Sequence, residues 1–86
     1  MEEFLYTVCG MEGIHARPAG QLAKKAAQYK SCVTIEKDGR EATTSRLMAL
    51  MGLDIRCGDS IKIKVEGSDE HTAADGIKRF MTEHSI

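Results

Sequence analysis

Apolar and polar positions along this chain of 86 residues switch repeatedly between two periods. Phe4, Tyr6 and Val8 alternate with Leu5, Thr7 and Cys9 in a segment rich in aromatic and branched residues. That pattern predicts a first strand over 4–9. From Ala16 the period lengthens, and Ala19, Leu22, Ala23 and Ala26 fall at i, i+3, i+4 and i+7, one stripe of a helix. Pro18, the only proline, lies in the first turn of that helix, where its missing N–H costs nothing. Val33 and Ile35 then alternate with Thr34 and Glu36, giving a second strand.

Asp38-Gly39 is a two-residue hairpin signal, because glycine accepts the positive φ of a type I′ turn. The chain returns as a short strand over 40–43. A short helix over 45–51 follows, with Thr44 or Ser45 as its expected N-cap and Gly52 at its end. Ile61, Ile63 and Val65 alternate with Lys62, Lys64 and Glu66, a strand with one wet face. Ser68-Asp69-Glu70 supplies a capping candidate and acidic first-turn residues for a last helix. Its stripe is Ala73, Ala74, Ile77, Phe80 and Met81. The order β-α-β-β-α-β-α predicts one α+β domain over 1–86, a two-layer open-faced sandwich with a four-stranded antiparallel sheet and its helices on one face.

Composition narrows the function classes. Twelve Lys and Arg against thirteen Asp and Glu leave a net charge of −1, which argues against a nucleic-acid binder. A domain of this size buries about 60–65% of its unfolded surface, so a deep pocket is not expected and activity belongs on the surface. The longest apolar runs are a few residues, too short to insert in a membrane. Cys9, Cys32 and Cys57 match neither a CxxC pair nor a zinc pattern; they are expected as reduced thiols packed like small hydrophobes. No metal site or cofactor is expected.

Chemistry concentrates in Gly13-Ile14-His15-Ala16-Arg17-Pro18. His15 stands just ahead of a helix start, where the first N–H groups lack intrahelical partners and carry the positive end of the dipole. Such an end accepts anions, and Arg17 adds a fork suited to phosphate. Two positive sources beside the imidazole favour its neutral, nucleophilic form. A nucleophile beside an anion cradle can receive a phosphoryl group. By spacing alone, His-x-Arg is a weak signal that fits an ordinary surface histidine or a helix cap better than a phosphoryl acceptor.

The string Gly13-Ile14-His15-Ala16-Arg17-Pro18-Ala19 resembles the active-site signature of the HPr family, the histidine-containing phosphocarriers of the bacterial phosphoenolpyruvate-dependent sugar phosphotransferase system. The resemblance continues through Asp38-Gly39, through the segment Leu47 to Leu53, and through Gly67-Ser68-Asp69-Glu70. It implies a cytoplasmic, monomeric phosphocarrier rather than an enzyme that turns over alone. His15 would take a phosphoryl group on Nδ1 from Enzyme I and pass it to the IIA domain of a sugar permease. Arg17 would neutralise the phosphate, and Pro18 with the amides of Ala16 and Arg17 would shape its cradle.

A relay also needs a docking surface. Leu50 and Leu53 are expected in the core, whereas Leu47, Met48 and Met51 are expected as an exposed apolar patch that several partners share. Lys24 and Arg46 are candidate steering charges for the same surface. Two rival readings exist: a regulatory binding module on the same fold, which the presence of His15 disfavours, and a thiol or metal protein, which the cysteine spacing disfavours. One departure from the family pattern carries a consequence. Arg46 occupies the position where many Gram-positive relatives have a regulatory serine. Ser45 is one place earlier, and one residue re-aims a helical side chain by about 100°. Incubation with the corresponding serine kinase and ATP should leave the intact mass unchanged; a stable phosphate on Ser45 would overturn this expectation.

Overall fold

Strands and helices follow one another in the expected order in the computed structural model, which describes residues 1–86. The elements are β1 (Glu2–Thr7), α1 (Ala16–Ala26), β2 (Cys32–Lys37), β3 (Arg40–Thr43), α2 (Leu47–Met51), β4 (Ser60–Glu66) and α3 (Glu70–Glu83). The sheet order is β1-β4-β2-β3, and every neighbouring pair is antiparallel. β4, late in the chain, therefore slots between β1 and β2 and binds the two halves together.

Its sequence explains that place. Ile61, Ile63 and Val65 point to one face and are at most 1% exposed. Ile63 sits opposite Phe4 on one side and Ile35 on the other, so a continuous apolar row crosses the sheet. Ala19, Leu22 and Ala26 of α1 and Ala73, Ala74, Ile77 and Met81 of α3 cover that row. Phe80 and Ala23 of the expected stripes are half-buried at its margin. The opposite sheet face is polar. There the Lys64 ammonium lies 2.8 Å from Glu36 and 3.1 Å from Glu41, and the two carboxylates hold its proton more tightly than usual. The hairpin turn has the expected form, with φ of 52° at Asp38 and 81° at Gly39.

Several local expectations are corrected. The first strand spans Glu2–Thr7 rather than 4–9. Val8 still exchanges main-chain hydrogen bonds with the turn before β4, but the amides of Cys9 and Gly10 donate to Ile86, which draws the chain away from the sheet. The short helix begins at Leu47, not Ser45. Neither Thr44 nor Ser45 caps it: Arg46 holds the N-cap place, Thr44 is buried and its amide donates to Val33, and the Ser45 and Thr43 hydroxyls bond to each other. All three cysteines are exposed rather than packed in the core. The core is already filled by branched aliphatics on the inward positions, and Cys9, Cys32 and Cys57 fall on outward positions or turns.

Asp69 precedes α3 as expected, but its side chain does not cap that helix. It turns instead to the start of β2, accepting hydrogen bonds from the Ser31 hydroxyl at 2.5 Å and the Lys30 amide at 2.9 Å. These donors hold its carboxyl below the usual carboxylate range. The helix-start role passes to Glu70, whose Oε1 accepts from the Gly67 amide at 3.2 Å. Because the Asp69 carboxyl is depressed in the folded state, its contribution is complete above the ordinary carboxylate value near 4 and is lost as pH falls below it. Asp69→Ala should therefore lower the melting temperature at pH 7, and the gap to the unaltered protein should narrow as pH drops below about 4. Thermal melts at pH 7 and pH 3 measure both.

Candidate functional site

The loop over 9–14 is built to present one residue. At its start the amides of Cys9 and Gly10 donate to the Ile86 main-chain oxygen at 2.7 and 3.0 Å, and the Gly13 amide closes a turn onto Gly10 at 2.9 Å. At its end the Ile14 amide donates to the Ile55 carbonyl at 3.0 Å, and the Ile14 side chain enters the core. Gly13 is buried with φ of 71°, and a β-carbon there would overlap the Ile55 carbonyl oxygen. Only glycine meets both the left-handed backbone and the close approach. With Ile14 facing inward, the next residue, His15, faces outward.

His15 occupies the N-cap position of α1 in extended backbone, φ −100° and ψ −163°. Its carbonyl accepts the first helical bond, from Ala19 at 3.0 Å, but its imidazole makes no capping bond to the helix. The side chain is therefore exposed and its ring nitrogens are uncommitted. Pro18 has no N–H, so Ala16 and Arg17 are the two early residues of α1 whose amides carry no main-chain partner. No acidic side chain stands in the first turn to occupy them. The imidazole is thus next to a two-amide anion cradle.

Two open depressions flank His15. The one of about 700 Å3 is lined by His15, Arg17 and Pro18 together with Glu12, Gln21 and His84. The other, of about 610 Å3, includes His15, Ala16, Met51, Arg56 and Cys57. The cations on the two sides differ. Arg56 is committed to Asp54 at 3.0 Å, and its guanidinium holds that carboxyl below the usual range. Arg17 enters no ion pair, so its charge is available for an incoming anion.

The candidate docking residues separate. Met48 is 80% exposed and Leu47 40%, whereas Leu50 and Leu53 are buried as expected. Met51 is half-buried and lines the depression that His15 shares. Lys24 lies in the last turn of α1, roughly 13 Å along the axis from His15 at 1.5 Å per residue. Arg46 opens onto a different depression, with Thr34 and Glu41. Neither shares a depression with His15. The sequence reading missed Met11, 93% exposed beside His15 and lining both depressions. A methionine in a loop carries no periodicity, so only its place on the surface reveals it. No three His, Cys, Asp or Glu side chains converge as a ligand set, and no helix is long and apolar enough to cross a membrane.

Comparison with known proteins points to one family. The model of the PTS HPr component phosphorylation site matches residues 3–83. The chain belongs to the HPr family. It is 35% identical over 81 residues to the phosphocarrier protein HPr of Lysinibacillus sphaericus, covering 94% of this chain and 92% of that one. The fold superposes on a mycoplasma histidine-containing phosphocarrier protein with a TM-score of 0.92 at 30% identity, covering 99% and 97% of the two chains. It also resembles an HPr dimer from Thermoanaerobacter tengcongensis, TM-score 0.76 at 27% identity, over 100% and 99%. The chain is thus a phosphocarrier of the phosphotransferase system, not an enzyme in its own right.

Within this family fold, Gly13 is the residue that sets His15 outward. Gly13→Ala should destabilise the protein by about 1–3 kcal/mol, the range for a strained left-handed residue, and should shift the His15 ring resonances. Urea unfolding with a proton spectrum of the imidazoles tests it; an unchanged midpoint would show that the Ile55 contact is dispensable.

Proposed function

We propose that His15 is the phosphoryl acceptor, and that it takes the group on Nδ1 from Enzyme I and passes it to the IIA domain of a sugar permease. The observation that carries this reading is an exposed imidazole with no hydrogen bond of its own, set beside two free helix amides and an unpaired arginine. In the first step a ring-nitrogen lone pair forms the new N–P bond as the donor's bond to phosphorus breaks. In the second step the acceptor's nucleophile displaces the same phosphorus from His15. Ala16, Arg17 and Pro18 form the cradle: the two amides and the guanidinium offset charge on the moving group, and Pro18 keeps a third amide from competing.

Shallow, open surroundings suit such a relay. Two partners must reach the same atom in turn, so neither can meet a closed pocket. The docking face consists of Met48 and Leu47 on α2, Met51 beside His15, and Met11 on the loop. Methionine adapts to differently shaped partners, which favours this assignment. Lys24 and Arg46 act at longer range, steering acidic partners rather than touching phosphate. The protein works as a monomer in the cytoplasm, where both partners act.

The decisive assay mixes the protein with Enzyme I and phosphoenolpyruvate. Acid-labile, base-stable phosphate should appear on His15, and His15→Ala should abolish it. An unmodified protein beside a competent Enzyme I would overturn the reading. Met48→Ala should slow transfer tenfold or so without altering the melting temperature, as expected of an apolar contact residue worth more than about 1 kcal/mol at an interface. Stopped-flow or quench transfer rates measure it.

A further inference from the structure

His15 is not the only imidazole in the larger depression. His84, at the C-terminal end of α3, lines it too, on the wall that faces α1. Its ring stacks on Phe80 with centroids 4.2 Å apart, which fixes its place at the rim. His84 stands at the end of α3 that carries the negative pole of the helix. Charged groups adjoin His84 in sequence or share the depression with it. Glu83 precedes it on α3, Glu12 comes from the loop, and His15 and Arg17 come from α1. The Lys25 ammonium lies 6.0 Å from the Phe80 ring centroid.

The charge balance of this space changes when His15 is phosphorylated. A phosphoryl group brings close to two negative charges, and Glu12 contributes another. Arg17 supplies one permanent positive charge. A space of about 700 Å3 is of the order of one Debye length across, about 8 Å at physiological ionic strength. Charges on its walls therefore sense one another. His84 is a further imidazole on these walls that can carry a positive charge.

Resting on the assignment of His15 as phosphoryl acceptor, we propose that His84 is a second, titratable counter-charge for the phosphorylated site. Protonated His84 supplements Arg17 and shifts the transfer equilibrium toward the phosphorylated carrier; neutral His84 does not. The contribution is present at mildly acidic pH and is lost as pH rises through the imidazole range. Linkage makes the effect reciprocal: phosphorylation of His15 must strengthen proton binding at His84 by the same factor.

The test uses the full chain, phosphorylated by Enzyme I and phosphoenolpyruvate, with the transfer equilibrium measured at pH 6 and pH 8.5. His84→Phe keeps a ring over Phe80 but no charge, and His84→Lys carries a charge at both pH values. The equilibrium constant of the unaltered protein relative to His84→Phe should be about threefold higher at pH 6 and equal at pH 8.5, a size set by partly exposed charges. His84→Lys should hold its advantage at both. In the unaltered protein, the NMR titration midpoint of His84 should rise by about half a pH unit on phosphorylation, the same threefold factor. This last measurement needs no variant and stands even if a substitution disturbs the fold. A carrier that is phosphorylated on His15 with an unmoved His84 titration, and with no difference from His84→Phe at either pH, overturns the role of His84 alone. Failure of His15 to take phosphate at all overturns the carrier reading instead.

Discussion

The hydrogen bond from the Ile14 amide to the Ile55 carbonyl, with Gly13 pressed against the same oxygen, is the contact on which the site depends. Ile55 is buried and lies between the short helix and the central strand. Anchoring the loop there ties the start of α1 to the buried core. Ile14 inward then dictates His15 outward, and the extended backbone of His15 dictates where α1 begins. The imidazole and the two free amides are positioned by one another, since the N-cap residue and the first turn share a single local geometry. A rigid site on an exposed surface results without any enclosing wall.

That anchor works only because β4 joins the two halves of the sheet. Residue Ile55 belongs to the segment entering β4, and the loop belongs to the segment leaving β1; these strands are direct neighbours. Lys37 strengthens the same corner. Its ammonium contacts Asp59 at 2.9 Å and donates to the Asp54 carbonyl, so the β2–β3 hairpin grips the turn that carries Ile55. Asp59 also accepts from the Arg56 amide, and the two donors hold its carboxyl below the usual range. Acidic residues without any sequence motif thus hold the segment on which the loop of His15 is anchored.

Periodicity made the element order legible, because alternation at Ile61, Ile63 and Val65 and the stripe at Ala19, Leu22 and Ala26 report directly which faces are buried. Ends and caps were not legible in the same way. Asp69 has the residue type and position of a helix cap, yet a stronger pair of donors lies across space at Lys30 and Ser31. Sequence distance of nearly forty residues hides such a competitor. The cysteines show the converse: their average preference is burial, but outward register decided against it. At the site, His15 and Arg17 were readable because motif and helix start coincide. Met11 and His84 were not, because the loop and the end of α3 meet α1 only after folding.

Net charge describes this molecule poorly, and the reason bears on phosphate transfer. Lys37, Lys64, Arg56 and Arg79 each lie within 3.2 Å of a carboxylate, so their charges are largely cancelled at close range. Arg17 has no such partner. A paired arginine would have to break an existing contact before it could serve an incoming phosphate, and the gain would be reduced by that loss. An unpaired one gives its full interaction to the new anion. Exposure then limits how strongly it holds, since water and salt screen the contact. Moderate binding is what a carrier requires: strong enough to accept the group, weak enough to release it to the next partner.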